Sequence, residues 1–153
     1  MTADDRDAPS CGRFEGREHI LPVRIYYEDT DFTGVVYHAN YLRYFERGRS
    51  DALRAAGVSH TDLLGDERPS AFTVVRMEID FRRPARVDDA LQVRTLYERI
   101  QGPRMFIRQR ILRGDDLVCE AQVEAACIDL SGRPTRPSRA LRARLAPILE
   151  ATD

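Results

Sequence analysis

Asp31 and His38 are the residues in this chain whose types and spacing can do chemistry. A carboxylate at Asp31 can attack an acyl carbon or activate a water, and the imidazole of His38 can orient that carboxylate, shuttle a proton or bond a substrate. The chain then changes from turn residues to a helical pattern, and a helix start carries backbone N–H groups without intrahelical partners. A carbonyl placed against such N–H groups, near Tyr37 to Asn40, would have its developing oxyanion stabilised. Carboxylate, imidazole and helix end together suit acyl transfer. A carboxylate before a helix is also the ordinary signature of a cap or a solvated turn, so spacing alone leaves both readings open.

Three elements must position these groups. Val23, Ile25 and Tyr27 alternate at period two and predict a strand that stops near Glu28. Asp29, Thr30, Asp31 and Gly34 then supply turn chemistry. From about Ala39, the positions Tyr41, Tyr44, Phe45, Ala52 and Ala56 recur at helical spacing, and Gly57 is placed to end the helix as its C′ residue.

Arg24-Ile25, Thr30-Asp31-Phe32-Thr33-Gly34-Val35-Val36 and Tyr37-His38-Ala39-Asn40-Tyr41 resemble the signature of the 4-hydroxybenzoyl-CoA thioesterase family. Tyr26-Tyr27-Glu28-Asp29-Thr30-Asp31, with Val35-Val36-Tyr37-His38, is similar more narrowly to its YbgC branch, the acyl-CoA thioesterases associated with the Tol-Pal system. The likeness continues through Pro84-Ala85-Arg86-Val87-Asp88-Asp89 and spans about residues 20 to 135. It implies an α+β hot-dog fold, an antiparallel β-sheet wrapped around one long central α-helix, and hydrolysis of acyl-CoA thioesters. It also implies that Asp31 is the catalytic carboxylate and that His38 accompanies it. Phe32-Thr33 departs from the small residues common at this point in the family, and Phe32 is expected to narrow the acyl pocket. The resemblance further implies a homo-oligomer, a dimer or a tetramer, with active sites between subunits.

The remaining candidates are substrate contacts. Tyr37 and Asn40 are placed to line the pocket, and Glu46 is a candidate second carboxylate. Arg82, Arg83 and Arg86, at the rim of the sheet, are candidates for the phosphates of coenzyme A, which arginine binds bidentately. No metal site is expected: His60 stands without other ligands at a metal-binding spacing. No cofactor is expected either, since coenzyme A belongs to the substrate.

At 153 residues the chain is one domain's worth. The expected division is a disordered tail over 1–19, a thioesterase domain over 20–135 and a weakly helical extension over 136–153. Charged residues are 32% of the chain and nearly cancel to a net charge of -1, so no global basic field points to nucleic acid. All the positive charge is arginine. No apolar run is long enough to span a membrane, and Met1 to Phe14 lacks the apolar stretch of a signal peptide. These features predict a cytoplasmic protein, and the Tol-Pal resemblance adds a peripheral place at the inner membrane. Cys119 and Cys127 fall on one predicted strand, roughly 26 Å apart at about 3.3 Å per residue, too far for a disulfide.

Four further strands are predicted: 71–82, 91–99, 105–112 and 117–129. On the first, Thr73, Val75, Met77, Ile79 and Phe81 share a face; on the last, small residues from Cys119 to Cys127 leave room for the aromatic helix. Residues 58–70 read as a connecting loop and the Pro-Arg run after Gly132 as a solvated segment. Two rival functions share this pattern: a hot-dog enoyl-thioester hydratase, and a non-enzymatic module that binds acyl-CoA or an acyl carrier protein. The carboxylate at Asp31 argues against mere binding, and the Thr-Asp-x-x-Gly-Val-Val-Tyr-His order argues for hydrolysis.

Overall fold

A computed structural model of the chain describes residues 6–150. Six strands form one antiparallel sheet: β1 (Arg13–Glu15), β2 (Glu18–Arg24), β3 (Ser70–Phe81), β4 (Ala90–Gln101), β5 (Arg104–Arg113) and β6 (Asp116–Asp129). Their order across the sheet is β1-β2-β4-β5-β6-β3. Helix α1 (His38–Ala55) lies on the inner face; α2 (His60–Leu64) and α3 (Arg139–Leu145) are shorter. This is the α+β arrangement that the resemblance implies.

Period decides which faces meet. Along β4, Leu91, Val93, Thr95 and Tyr97 are buried and alternate with half-buried residues, and Met105, Ile107, Gln109 and Ile111 repeat this on β5. Tyr41, Tyr44, Phe45, Gly48 and Ala52 bring the apolar stripe of α1 down onto them. The tight hairpins between β4 and β5 and between β5 and β6 each begin with a glycine at positive φ, 60° at Gly102 and 59° at Gly114. Helix α1 stops at Ala56, and Gly57, at φ 88°, donates its N–H to the Arg54 carbonyl.

At Gly48 the helix approaches the sheet most closely. A Cβ there would stand 2.8 Å from Thr95 Oγ1 and 2.8 Å from Val93 Cγ1. Beneath it, the buried Gln109 side-chain amide donates to the Phe45 carbonyl and to Thr95 Oγ1, both at 2.9 Å, and its oxygen accepts from Arg49 at 3.0 Å. Polar groups placed in the core this way keep their hydrogen bonds.

Four expectations need correction. Residues 13–19 are not a tail: β1 and the start of β2 form a hairpin there, and His19 is buried with Nε2 3.0 Å from Asp51 of α1. The residues of the expected tail before 6 lie outside the described residues. The strand ends at Arg24 and does not run to Tyr27; Asp29 accepts the Tyr26 N–H at 2.8 Å and curls Tyr27–Asp29 into a 3-10 turn. On β3 a bulge between Val74 and Arg76 shifts the alternation, so Phe72 and Val74 face inward before it and Met77, Ile79 and Phe81 after it. The Pro-Arg segment is tied to β6, with Thr135 N–H donating to the Cys127 carbonyl at 2.9 Å, and Leu141, Leu145, Ile148 and Leu149 beyond it complete the core.

Candidate active site

The segment between the 3-10 turn and α1 folds on itself before it enters the helix. Thr30 and Val36 bridge, the Asp31 N–H donates to the Val35 carbonyl at 2.9 Å, and the Gly34 N–H returns to the Asp31 carbonyl at 3.1 Å. Gly34, at φ 81°, makes that reversal possible. This small hairpin is pinned to its neighbours: Val36 N–H donates to the Ala85 carbonyl at 2.8 Å, Val35 bridges Arg86, and the buried Tyr41 hydroxyl accepts from the Ala85 N–H at 3.1 Å. The loop after β3 and the first turns of α1 therefore hold Asp31 in place together.

Asp31 is exposed, and its carboxylate accepts the Thr33 hydroxyl at 2.6 Å and the Thr33 N–H at 2.8 Å, both on Oδ1. Among the described residues no short hydrogen bond to Oδ2 is formed, and the Val35 N–H adds a weaker interaction with the carboxylate. The Thr33 hydroxyl, then the Thr33 N–H, hold the Asp31 carboxyl below the usual carboxylate range, with smaller pulls from the Val35 N–H and from His38. His38 opens α1 on the same side. Its ring lies 4.6 Å from that of Tyr37 and 6.2 Å, edge on, from that of Phe81 at the end of β3.

The helix start offers fewer free donors than its sequence suggests. Tyr37 N–H donates to the Asp29 carbonyl and Asn40 N–H to the Tyr37 carbonyl, each at 2.9 Å. The N–H groups of His38 and Ala39 are left open among the described residues. They point out of the N-terminus of an 18-residue helix, where the aligned peptide dipoles favour negative charge.

The other expected contacts are scattered. The Asn40 side chain donates to the Asp29 carbonyl at 2.9 Å and so ties the 3-10 turn to the helix. Phe32 is fully exposed. Arg82 is held by Glu120 at 2.8 Å, whereas Arg83 makes only a backbone bond to Val118. Glu46 accepts from Ser50 at 3.1 Å, and both line an apolar slot of about 120 Å³ with His60, Phe72, Val74 and Tyr97. A cavity of about 670 Å³ between β2 and α1 is lined by neither Asp31 nor His38.

Sequence and structure comparisons show the family. The pattern of the Thioesterase superfamily matches residues 33–124. The chain belongs to the Thioesterase superfamily. Among its relatives in this superfamily, the acyl-CoA thioesterase YbgC of Haemophilus influenzae is 43% identical over 110 residues, covering 72% of this chain and 80% of the relative. The acyl-CoA thioester hydrolase YbgC of Escherichia coli is 40% identical over 109 residues, covering 71% and 80%. A solved probable thioesterase from Bartonella henselae superposes with a TM-score of 0.77 at 45% identity, over 79% of this chain and 99% of that one.

In this superfamily member the matched region begins just after Asp31, so the Asp31–Thr33 loop sits at its margin. Thr33 is the site residue that sequence reasoning overlooked. Its signal was present: a threonine two residues after an aspartate in a turn has both a hydroxyl and an N–H within reach of the carboxylate. The cysteines take no part in the site. Cys119 and Cys127 are buried and free, and burial pushes the Cys119 thiol up to about 12.

Proposed function

We infer that the protein is an acyl-CoA thioester hydrolase in which Asp31 is the reactive carboxylate. The observation that carries this reading is the exposed Asp31 carboxylate, held through Oδ1 by Thr33, in the loop that leads into a helix whose His38 and Ala39 N–H groups have no partner among the described residues. A thioester carbonyl seated there places its oxygen on the N–H donors. As the carbon becomes tetrahedral, the new oxyanion is stabilised, and loss of one such donor typically costs about 3 kcal/mol. Asp31 Oδ2 either bonds to the carbon, giving an anhydride that water then opens, or takes a proton from the attacking water. In both routes the C–S bond breaks, the electron pair leaves on the coenzyme A sulfur, and water supplies the acid's oxygen. The His38 ring acts on the carboxylate electrostatically and takes the accompanying role that the family resemblance implies. No metal or organic cofactor takes part.

The site is proposed to be completed by a second copy. β3 pairs with β6 on one side only, and Val74, Val75 and Phe81 along it are about half exposed. A free twelve-residue strand with an apolar surface is a ready partner for its own copy. Antiparallel self-pairing would set the Phe81 end of one copy, beside its His38, against the Ser70 end of the other, beside its apolar slot. That slot is then the place for the acyl group, and Phe32 its rim. A dimer, or a tetramer built from two, is the expected assembly. Likeness to the YbgC relatives supports coenzyme A as the carrier, with acyl carrier protein as the alternative. No helix among the described residues is long and apolar enough to cross a membrane. The proposed cytoplasmic location, a peripheral place at the inner membrane and a Tol-Pal association rest on the YbgC resemblance.

The test is thiol release from short aliphatic, long aliphatic and aromatic acyl-CoAs, and from one acyl carrier protein thioester, by the wild type and Asp31→Asn. The wild type is expected to release thiol, and the variant to lose about a hundredfold or more in rate. Equal turnover would remove Asp31 from the mechanism. Binding without release would make the protein a carrier module, and loss of enoyl-CoA absorbance without thiol release would make it a hydratase.

A further inference from the structure

Thr33 places both of its hydrogen-bond donors on one oxygen of Asp31, at 2.6 and 2.8 Å, and among the described residues the other oxygen takes no comparably short bond. An exposed aspartate otherwise samples a broad range of carboxylate orientations, because its terminal torsion is soft. We propose that Thr33 is a positioning residue for the hydrolysis, fixing the plane of the Asp31 carboxylate so that Oδ2 is presented to the thioester carbon or its water. This rests on the reading of Asp31 as the reactive carboxylate. A group already aimed need not be oriented during the reaction.

The same two bonds set the charge. They favour the ionised carboxylate, so the enzyme keeps its reactive form at a pH where an unassisted aspartate begins to protonate. The charged groups around it are His38 at the head of α1, which acts in the same direction when protonated, and Arg86 on the loop bridged to Val35. The fold contains an internal comparison. At the end of β6, Asp129 Oδ1 accepts the Ser131 hydroxyl at 2.6 Å, the Ser131 N–H at 2.9 Å and the Arg133 N–H at 3.0 Å. The motif builds a turn in both places. At Asp31 it acts on a carboxylate in the loop that leads into α1.

The experiment measures kcat and KM against pH for the wild type, Thr33→Val, Thr33→Ser and Ser131→Ala, with Asp31→Asn as reference. Valine keeps the N–H and the branched shape and removes only the hydroxyl. Thr33→Val is expected to lose about three- to tenfold in kcat, the range for one hydrogen bond, with KM little changed. The acid limb of its profile should move to higher pH. Thr33→Ser should restore both, and Ser131→Ala should leave both unmoved. Carbon-13 titration of the Asp31 carboxyl, assigned by its loss in Asp31→Asn, reads the same shift even in a variant of low activity. An unmoved carboxyl titration and an unchanged kcat in Thr33→Val, with Asp31→Asn inactive, would overturn the inference. An active Asp31→Asn would instead overturn the functional reading beneath it.

Discussion

His38 occupies the first position of α1, where proline is tolerated because that N–H has no intrahelical partner. The preceding Tyr37, at φ -64° and ψ 132°, already has the extended backbone that a following proline demands. Ring and N–H can therefore be removed separately. His38→Ala deletes the ring and keeps the donor, whereas His38→Pro deletes both and leaves the helix intact. If the N–H is the oxyanion donor and the ring only orients Asp31, His38→Ala should lose less than about tenfold in kcat. His38→Pro should lose about a hundredfold or more. Steady-state rates of the two variants, with circular dichroism to confirm the helix, check this; equal losses would give the ring the larger role.

At the scale of elements, Gly48 shows which of two opposing effects governs α1. In an open helix, replacing glycine by alanine stabilises by about 1 kcal/mol. Here the new methyl would meet Thr95 and Val93 at 2.8 Å, with the hydrogen-bonded Gln109 behind them, and overpacking a core typically costs about 1–3 kcal/mol. The contact outweighs the propensity, so Gly48→Ala should lower the denaturant midpoint, and a raised midpoint would show that the helix can lift off the sheet. No sequence pattern announces that approach, because glycine at a helix centre looks the same whether it faces a sheet or water. The same limit explains the other differences. Strict alternation along β3 was legible, but the bulge at Val74 was not, since inserting one residue leaves the composition unchanged. Tyr27 carried the period of a strand until the Asp29 carboxylate captured the Tyr26 N–H. Asp31 and His38 could be singled out because their residue types and spacing are local and the family resemblance falls on them, and their catalytic roles stand as proposed. Thr33 was not singled out, because its role depends on where a rotamer points, and a turn threonine commonly serves only its own backbone.

For the whole molecule, the question is what covers β3. One chain presents the exposed Asp31 loop, which lines neither the cavity of about 670 Å³ nor the apolar slot near the other end of β3. These halves complement each other only if two copies meet along that strand. The middle of β3, at Val75 and Arg76, would lie near the symmetry axis, so a charge introduced at Val75 faces its own image, and like charges opposite one another weaken a strand pair. Val75 is half exposed in the single chain, so Val75→Lys should leave the fold itself unharmed. Light scattering at micromolar concentration is expected to find the wild type as a dimer or tetramer and Val75→Lys shifted toward the monomer. Thiol release per chain should fall in parallel and recover as protein concentration rises, because mass action restores the pair. A variant that stays associated would place the interface elsewhere. A fully active monomer would mean that one chain closes its own site on substrate, and the slot would lose its claim on the acyl group.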